Sequence, residues 1–422
     1  MTLSPPEAET HHPDAREVFR QVRRHLQPGL GVAGRLAGGG AVEMRAAGAR
    51  IRLSDGRDVL DFGSYAVTLL GHRHPAVVAA VRAQLDAMTV SSRILLNPST
   101  AAAAAALAHY LGDRLPRVYF GLNGSDAVEA AIKLARLASG RGRVLAVTGG
   151  FHGKSMGALA VTHNPRYRAG LEHLLPGVTH VSPDDPGAVA REIAAGDVAA
   201  LIFEPLQGEN GVQPLPAAVL AEWTGTAREN GVFVIADEIQ TGLRRCGSPS
   251  SALAAGLPVN AVLLGKPLGG GVTAISAVVC DDELYAPLAT DPMMHTATFA
   301  GNPLACAAVP AALAAIEELA DRGAEIAAVM AAGLARLTDR HGDVVRAVRG
   351  QGLLWGIELA SGSVTGEVMT GLARAGLLVS PCLGRPEVLR LLPPLVATDT
   401  DLADALALVD RALADVPAKA GA

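Results

Sequence analysis

The feature that most constrains this 422-residue chain is a series of short apolar runs, broken only by Ser276, each ending on polar or glycine-rich residues. They fall at 118–120, 144–147, 200–203, 232–236, 261–264 and 274–279. Strands covered on both faces lose the polar/apolar alternation and read as continuous Val/Ile/Leu/Ala runs, so these are expected to be buried, mostly parallel strands. Helical spacing of apolar residues recurs around them, at 74–87, 100–111, 126–138 and 217–229. Strand and helix in alternation predict an α/β fold with a mostly parallel sheet. After Asn302 the texture changes to long Ala-rich helices up to about Arg340. Strand-like pieces follow at 344–348, 353–358, 377–380 and 389–392, then a last helix at 399–413. This predicts a smaller α+β domain, joined by early strands near 50–53 and 59–62. The expected division is 1–70 as an N-terminal segment joining the small domain, 71–305 as the large domain and 306–422 as the C-terminal small domain. The first 28 residues are expected to be mobile, with one short helix.

Composition narrows the function classes. Charged residues are 18% of the chain and the net charge is −5, which speaks against disorder and against an electrostatic nucleic-acid binder. Residues 1–24 lack an apolar leader core. The uncharged stretch 292–316 holds His295, Asn302, Pro303 and Pro310, so neither a secretory signal nor a membrane span is expected. Cys246, Cys280, Cys306 and Cys382 are scattered without paired histidines. They read as buried small residues of a cytoplasmic protein, with no metal site. Of 36 basic side chains only four are lysines: Lys133, Lys154, Lys266 and Lys419. Chemistry that needs an amine therefore has few candidates.

One motif misleads. Gly29-Leu-Gly-Val-Ala-Gly34 matches the dinucleotide fingerprint, but no strand precedes it and Gly38-Gly-Gly40 after it is no helix. Four other segments place polar residues at strand ends, where ligands bind in parallel sheets. Gly124 and Ser125 open a helix, where free N–H groups and the positive dipole end suit a phosphate. The alternative there is an ordinary cap by Ser125 or Asp126. Gly149-Gly-Phe-His-Gly-Lys-Ser155 offers the Phe151 face to a flat ligand, with ordinary packing as its alternative. Asp237 and Glu238 end an apolar strand, where a carboxylate is costly unless it meets a cation such as a protonated pyridine. Lys266 follows an apolar strand and precedes three glycines; burial would lower its pKa and make it nucleophilic. Together these are the parts needed to hold pyridoxal 5′-phosphate (PLP).

Over roughly residues 45–415 the chain resembles the class III aminotransferases, the PLP-dependent transferases of fold type I. The resemblance rests on Glu204-Pro-Leu-Gln-Gly-Glu209, Asp237-Glu-Ile-Gln-Thr-Gly242, Lys266-Pro-Leu-Gly-Gly-Gly271, Thr298-Phe-Ala-Gly-Asn-Pro303 and Arg390-Leu-Leu-Pro-Pro-Leu395, in family order. It implies that Lys266 holds the cofactor as a Schiff base and moves the substrate proton. Asp237 would pair with the ring nitrogen and Gln240 with the ring hydroxyl. Phe151 and Ile239 would cover the two ring faces, with His152 beside them. Gly124 and Ser125 would hold the phosphate, and Glu204 would sit behind the ring hydroxyl. Thr298 would reach the phosphate of a second copy, implying a homodimer with shared sites. Lys133 falls in a motif read as structural. Departures from the family pattern stand at Asn123, Asn210 and Asn260.

The substrate side rests on four residues. Lys154 occupies the position where the ornithine and acetylornithine branches carry a carboxylate-clamping arginine. Lysine cannot reproduce a bidentate fork. With His295-Thr-Ala-Thr298 and the segment from Asn302 to Cys306, this resembles the putrescine branch. Arg390 and Glu209 match a pair that binds or releases a carboxylate according to the substrate, and Tyr65 lines the pocket or packs. The expectation is transfer between a primary amine lacking a nearby carboxylate and a small or peptide-borne carbonyl. The tailoring of a specialised metabolite or modified peptide is one use. The rivals are an acetylornithine/ornithine-type enzyme, an aminomutase and a non-catalytic PLP-binding regulator.

Overall fold

The computed structural model describes residues 14–174 and 177–416. Lys419 and the first thirteen residues of the expected N-terminal segment lie outside the described residues. The centre is a seven-stranded sheet. Its order is Arg117–Gly121, Ser276–Cys280, Ala261–Leu264, Phe233–Asp237, Val198–Phe203, Arg143–Val147, Val178–Val181. Every strand runs parallel to the others except Ser276–Cys280, which is antiparallel to both its neighbours. Val198–Phe203, Phe233–Asp237 and Ala261–Leu264 are buried at every position. That two-sided burial is why their sequences are unbroken apolar runs.

Helices cover both faces. Gly124–Ser139 buries seven residues, five of them Ala or Val, so it lies close on the sheet; Ala217–Glu229 packs with Trp223 on the other side. Pro303–Glu318, Pro98–Tyr110 and Pro75–Ala87 share a further core with the C-terminal strands. Burying one apolar side chain is worth ~1.5–3 kcal/mol, and these cores hold dozens.

Two four-stranded sheets lie outside the large one. One joins Glu43–Ala47, Arg50–Leu53 and Asp58–Asp61 to Leu377–Leu378, so early and late segments do share a sheet. The other joins Val345–Gln351, Leu354–Leu359, Val388–Leu391 and Ser380–Pro381. The run 377–380, expected as one strand, is thus two short strands in different sheets. The leading segment also differs from expectation. Ala15–His25 is followed by a second helix, Pro28–Gly38, and Gly29, Gly31 and Gly34 lie inside it. The fingerprint therefore opens no helix after a strand. No single described helix is long and apolar enough to cross a membrane.

Candidate active site

Five strand ends point their following loops to one edge of the large sheet. The strand Phe233–Asp237 ends on Asp237, and Val198–Phe203 is followed by Glu204. Arg143–Val147 leads to Phe151, His152 and Lys154. Ala261–Leu264 leads to Lys266, and Arg117–Gly121 leads to Gly124 and Ser125. Because these strands are mutually parallel, all five loops emerge on the same side.

Asp237 is buried. Its Oδ2 lies 2.7 Å from His152 Nδ1 and its Oδ1 accepts the Ile239 N–H at 3.2 Å. Burial opposes charge on His152, but the hydrogen bond and charge of Asp237 outweigh it and raise the imidazole pKa. His152 Nε2 has no partner among the described residues. Glu204 Oε1 accepts the Phe151 N–H at 2.9 Å. Burial pushes the Glu204 carboxyl up to about 7, with Asp237 adding to the rise and His152 opposing it. Glu238, one residue beyond Asp237, serves the scaffold. It accepts from Ser250 Oγ and from the N–H groups of Ser251 and Ala252, closing the start of the Ser251–Ala254 helix.

Lys266 stands at the start of the Lys266–Gly269 turn with φ +41, a left-handed conformation rare outside glycine. It keeps partial exposure, yet the protein around its amine depresses its pKa; Glu209, Asp237 and Glu204 oppose that trend and Arg390 adds to it. A lowered lysine pKa leaves more neutral amine, which is both nucleophile and base. Gln240 is buried and among the described residues its Oε1 has no partner, while its Nε2 lies 3.4 Å from Glu209 Oε1. Arg390 and Glu209 form a buried ion pair. Glu209 Oε2 also accepts the Leu383 N–H, and Arg390 keeps the carboxyl below its ordinary pKa against the pull of burial.

The Gly124–Ser139 helix is capped by Asn123, whose Oδ1 accepts the Asp126 N–H at 3.2 Å. The cap is therefore neither Ser125 nor Asp126. Among the described residues no acceptor meets the N–H of Gly124 or Ser125, as expected for a first helical turn facing a ligand. A Cβ on Gly124 would lie 3.0 Å from Ile239 Cδ1, so the glycine leaves room for that side chain. Phe151 meets Tyr167 edge-on, with ring centroids 6.4 Å apart. Lys154 Nζ lies 4.0 Å from the Tyr167 centroid and 5.8 Å from that of Phe151. Tyr167 was not singled out from sequence; it sits in a short helix, Pro165–Arg168, with no motif spacing to flag it.

Two expected residues are exposed at the surface rather than buried in this cluster. Thr298 is exposed, on a loop whose Ala297 and Thr298 carbonyls accept from Arg93. Tyr65 is also exposed, in a turn packed against the Lys266 turn. Lys133 donates to the Met294 carbonyl, a structural tie.

The family model "Aminotransferase class-III" matches residues 40–413. The chain belongs to the class III aminotransferases. This aminotransferase is 36% identical over 416 residues to a putrescine aminotransferase of Pectobacterium atrosepticum, covering 94% of this chain and 88% of the relative. It superposes on ornithine aminotransferase of Toxoplasma gondii with a TM-score of 0.88 at 30% identity, covering 96% of each chain. An amine transaminase from an uncultivated Pseudomonas species, solved in its PLP-bound form, gives 0.82 at 29% identity over 89% of this chain and 95% of that one. The aminotransferase has fold type I and uses PLP. Its residues fit that cofactor. The buried, unpartnered Gln240 Oε1, the unmet N–H groups of Gly124 and Ser125, and the pinned Asp237 carboxylate are complementary to the hydroxyl, phosphate and protonated nitrogen of PLP.

Proposed function

We propose that the enzyme moves an amino group between a primary amine with no carboxylate beside the reacting carbon and a ketone or aldehyde, in the tailoring of a specialised metabolite or modified peptide. The observation that carries this reading is Lys154. A carboxylate clamp at this position needs a forked guanidinium, and here a single ammonium is engaged over the Tyr167 and Phe151 rings. The buried Arg390–Glu209 pair supports it. With Glu209 in place the guanidinium is neutralised and tolerates an uncharged side chain; a dicarboxylic partner would displace Glu209 to reach Arg390. The putrescine aminotransferase relative agrees with an amine of this class.

In this reading PLP supplies a carbonyl carbon that accepts an amine and a ring that takes up an electron pair. Lys266, its pKa lowered, is the residue that would hold PLP covalently and carry the proton to and from the substrate carbon. Asp237, oriented by His152 and the Ile239 N–H, would keep the ring nitrogen protonated. Gln240, with Glu204 behind it, would face the ring hydroxyl, Phe151 and Ile239 would cover the ring faces, and the Gly124–Ser125 turn would take the phosphate. Thr298 would serve the phosphate site of a second copy, making the functional unit a homodimer.

A second reading, ornithine- or acetylornithine-type transfer, is favoured by the likeness to ornithine aminotransferase. It requires Lys154 to leave the aromatic faces and bind a carboxylate. Lys154→Arg separates the two. If the first reading holds, the variant gains activity toward acetylornithine by about tenfold or more, the scale of one added charge-assisted hydrogen bond. A wild type that already prefers acetylornithine over simple diamines and amino ketones would contradict it.

A further inference from the structure

Ser64, Tyr65 and Ala66 have φ values of +36°, +54° and +63°. Three successive non-glycine residues in the left-handed region are costly. Such a segment persists only where its surroundings over-determine it, and strain of this kind gathers at functional sites. Two buried charged side chains supply that constraint. Asp61, only 2% exposed, ends the Asp58–Asp61 strand. Its Oδ1 accepts the Gly63 N–H at 3.0 Å, and its Oδ2 meets the Ser64 hydroxyl at 2.5 Å and His72 Nε2 at 2.7 Å. His72 is itself fixed by paired backbone hydrogen bonds with Gly48.

The far end of the turn is held by Arg245, 1% exposed, whose Nη2 donates to the Ala66 carbonyl at 3.1 Å. Its other guanidinium contacts are the Leu353 and Pro393 carbonyls, each at 3.5 Å; among the described residues no carboxylate pairs with it. A buried arginine answered by carbonyls alone is expensive and needs a positional reason. Arg245 lies on the loop that follows Asp237 and carries Gln240, so the clamp ties the turn to the cofactor side of the site. The turn packs against Lys266–Gly269 and presents a Tyr65 that is 80% exposed.

We propose that Asp61 and Arg245 are positioning residues for Tyr65. Between them they hold the Ser64–Ala66 turn left-handed, and the turn, packed against Lys266–Gly269, presents Tyr65 as a determinant of which substrate is accepted. The inference rests on the cleft around Lys266 being the substrate site, as in the function proposed above, and is independent of which amine is used.

Steady-state kinetics of the PLP-loaded enzyme test it. Tyr65→Ala is expected to raise KM for the amine about tenfold while kcat changes less than about threefold, a loss of binding rather than of chemistry. Asp61→Asn and Arg245→Lys should reproduce that KM-weighted pattern without altering the PLP absorbance band. Adding Ala66→Gly to Asp61→Asn should recover part of the KM, because glycine takes positive φ without penalty; a role in packing alone would show no such rescue. Ser64→Ala, which deletes one hydrogen bond, carries the same expectation where Asp61→Asn does not fold. An unchanged KM in Tyr65→Ala, or equal losses in kcat and kcat/KM across the clamp variants without rescue by glycine, would overturn the inference. The absorbance change on mixing enzyme with amine is read alongside. Its persistence in every variant would leave the aminotransferase reading standing when the clamp inference fails.

Discussion

Neighbouring residues of one chemical type take opposite roles here. Asp237 and Glu238 are adjacent carboxylates at the end of one apolar strand. Successive strand side chains point to opposite faces, so one meets His152 and the open cleft while the other closes a helix start. The sequence marked both as unusual, and the alternation rule separates them only once the strand's end is known. Lys266 was legible because amines are scarce in this chain; Arg245 was not, since its carbonyl partners are distant in sequence, and Tyr167 and Asp61 carry no motif spacing to flag them. Glu204 yields a prediction on pH. Its carboxyl is raised in the folded protein from an ordinary value near 4.3 to about 7, so between those values the folded state binds more protons than the unfolded one. Stability contributed at this site is therefore lost as pH rises through that window and is constant above it. Glu204→Gln keeps the acceptor for the Phe151 N–H and removes the titration. The unfolding free energy of the apoenzyme variant, from denaturant titration, should rise relative to wild type from pH 5 to 8 by up to about 3 kcal/mol. A pH-independent difference would refute the assignment.

At the scale of elements, the central strands and the helices between them were readable for one reason: burial on both faces writes an unbroken apolar run. The edge strand Val178–Val181 was missed because Thr179 and His180 interrupt that signal on a half-covered strand. The helix Asp282–Thr290 carries Pro287 in its interior, and Gly362–Ala375 holds three glycines, with Gly376 as its C-cap, that blur its periodicity. The strand expected at 377–380 divides because its two halves pair with different sheets. Asn260 shows how elements are joined. Its Oδ1 accepts the Val234 N–H at 2.8 Å and its Nδ2 donates to Asp281 Oδ2 at 2.7 Å, linking the strand ends of Phe233–Asp237 and Ser276–Cys280. An aspartate at this position would place its carboxylate against that of Asp281 in a buried spot. Asn260→Asp should destabilise the protein by ~2–3 kcal/mol, read as a lower denaturant midpoint, and Asp281→Asn should restore part of it. Equal stability of Asn260→Asp and wild type would contradict this role.

At the scale of the molecule, Ile94, Leu95 and Leu96 are 91%, 75% and 100% exposed, beside the loop that carries Thr298. An apolar surface of this kind marks an interaction site, which agrees with the homodimer proposed above, in which each copy's Thr298 would serve the other's cofactor phosphate. Leu96→Asp should therefore shift the enzyme from dimer to monomer in light scattering and weaken PLP retention together. Loss of the dimer with unchanged PLP affinity would argue against shared sites. Fold class and cofactor were legible across the whole chain because several ordered motifs agree on them, whereas the substrate depends on Lys154 and the few side chains around it. The most direct measurement of the central claim is the half-reaction: PLP-loaded enzyme mixed in stopped flow with single amines, following the visible-edge absorbance of the bound cofactor. The account predicts rapid loss of that band with simple diamines or amino ketones and little with ornithine or acetylornithine, and no band to lose in Lys266→Ala. Rapid loss with ornithine or acetylornithine and none with the simple amines would contradict it.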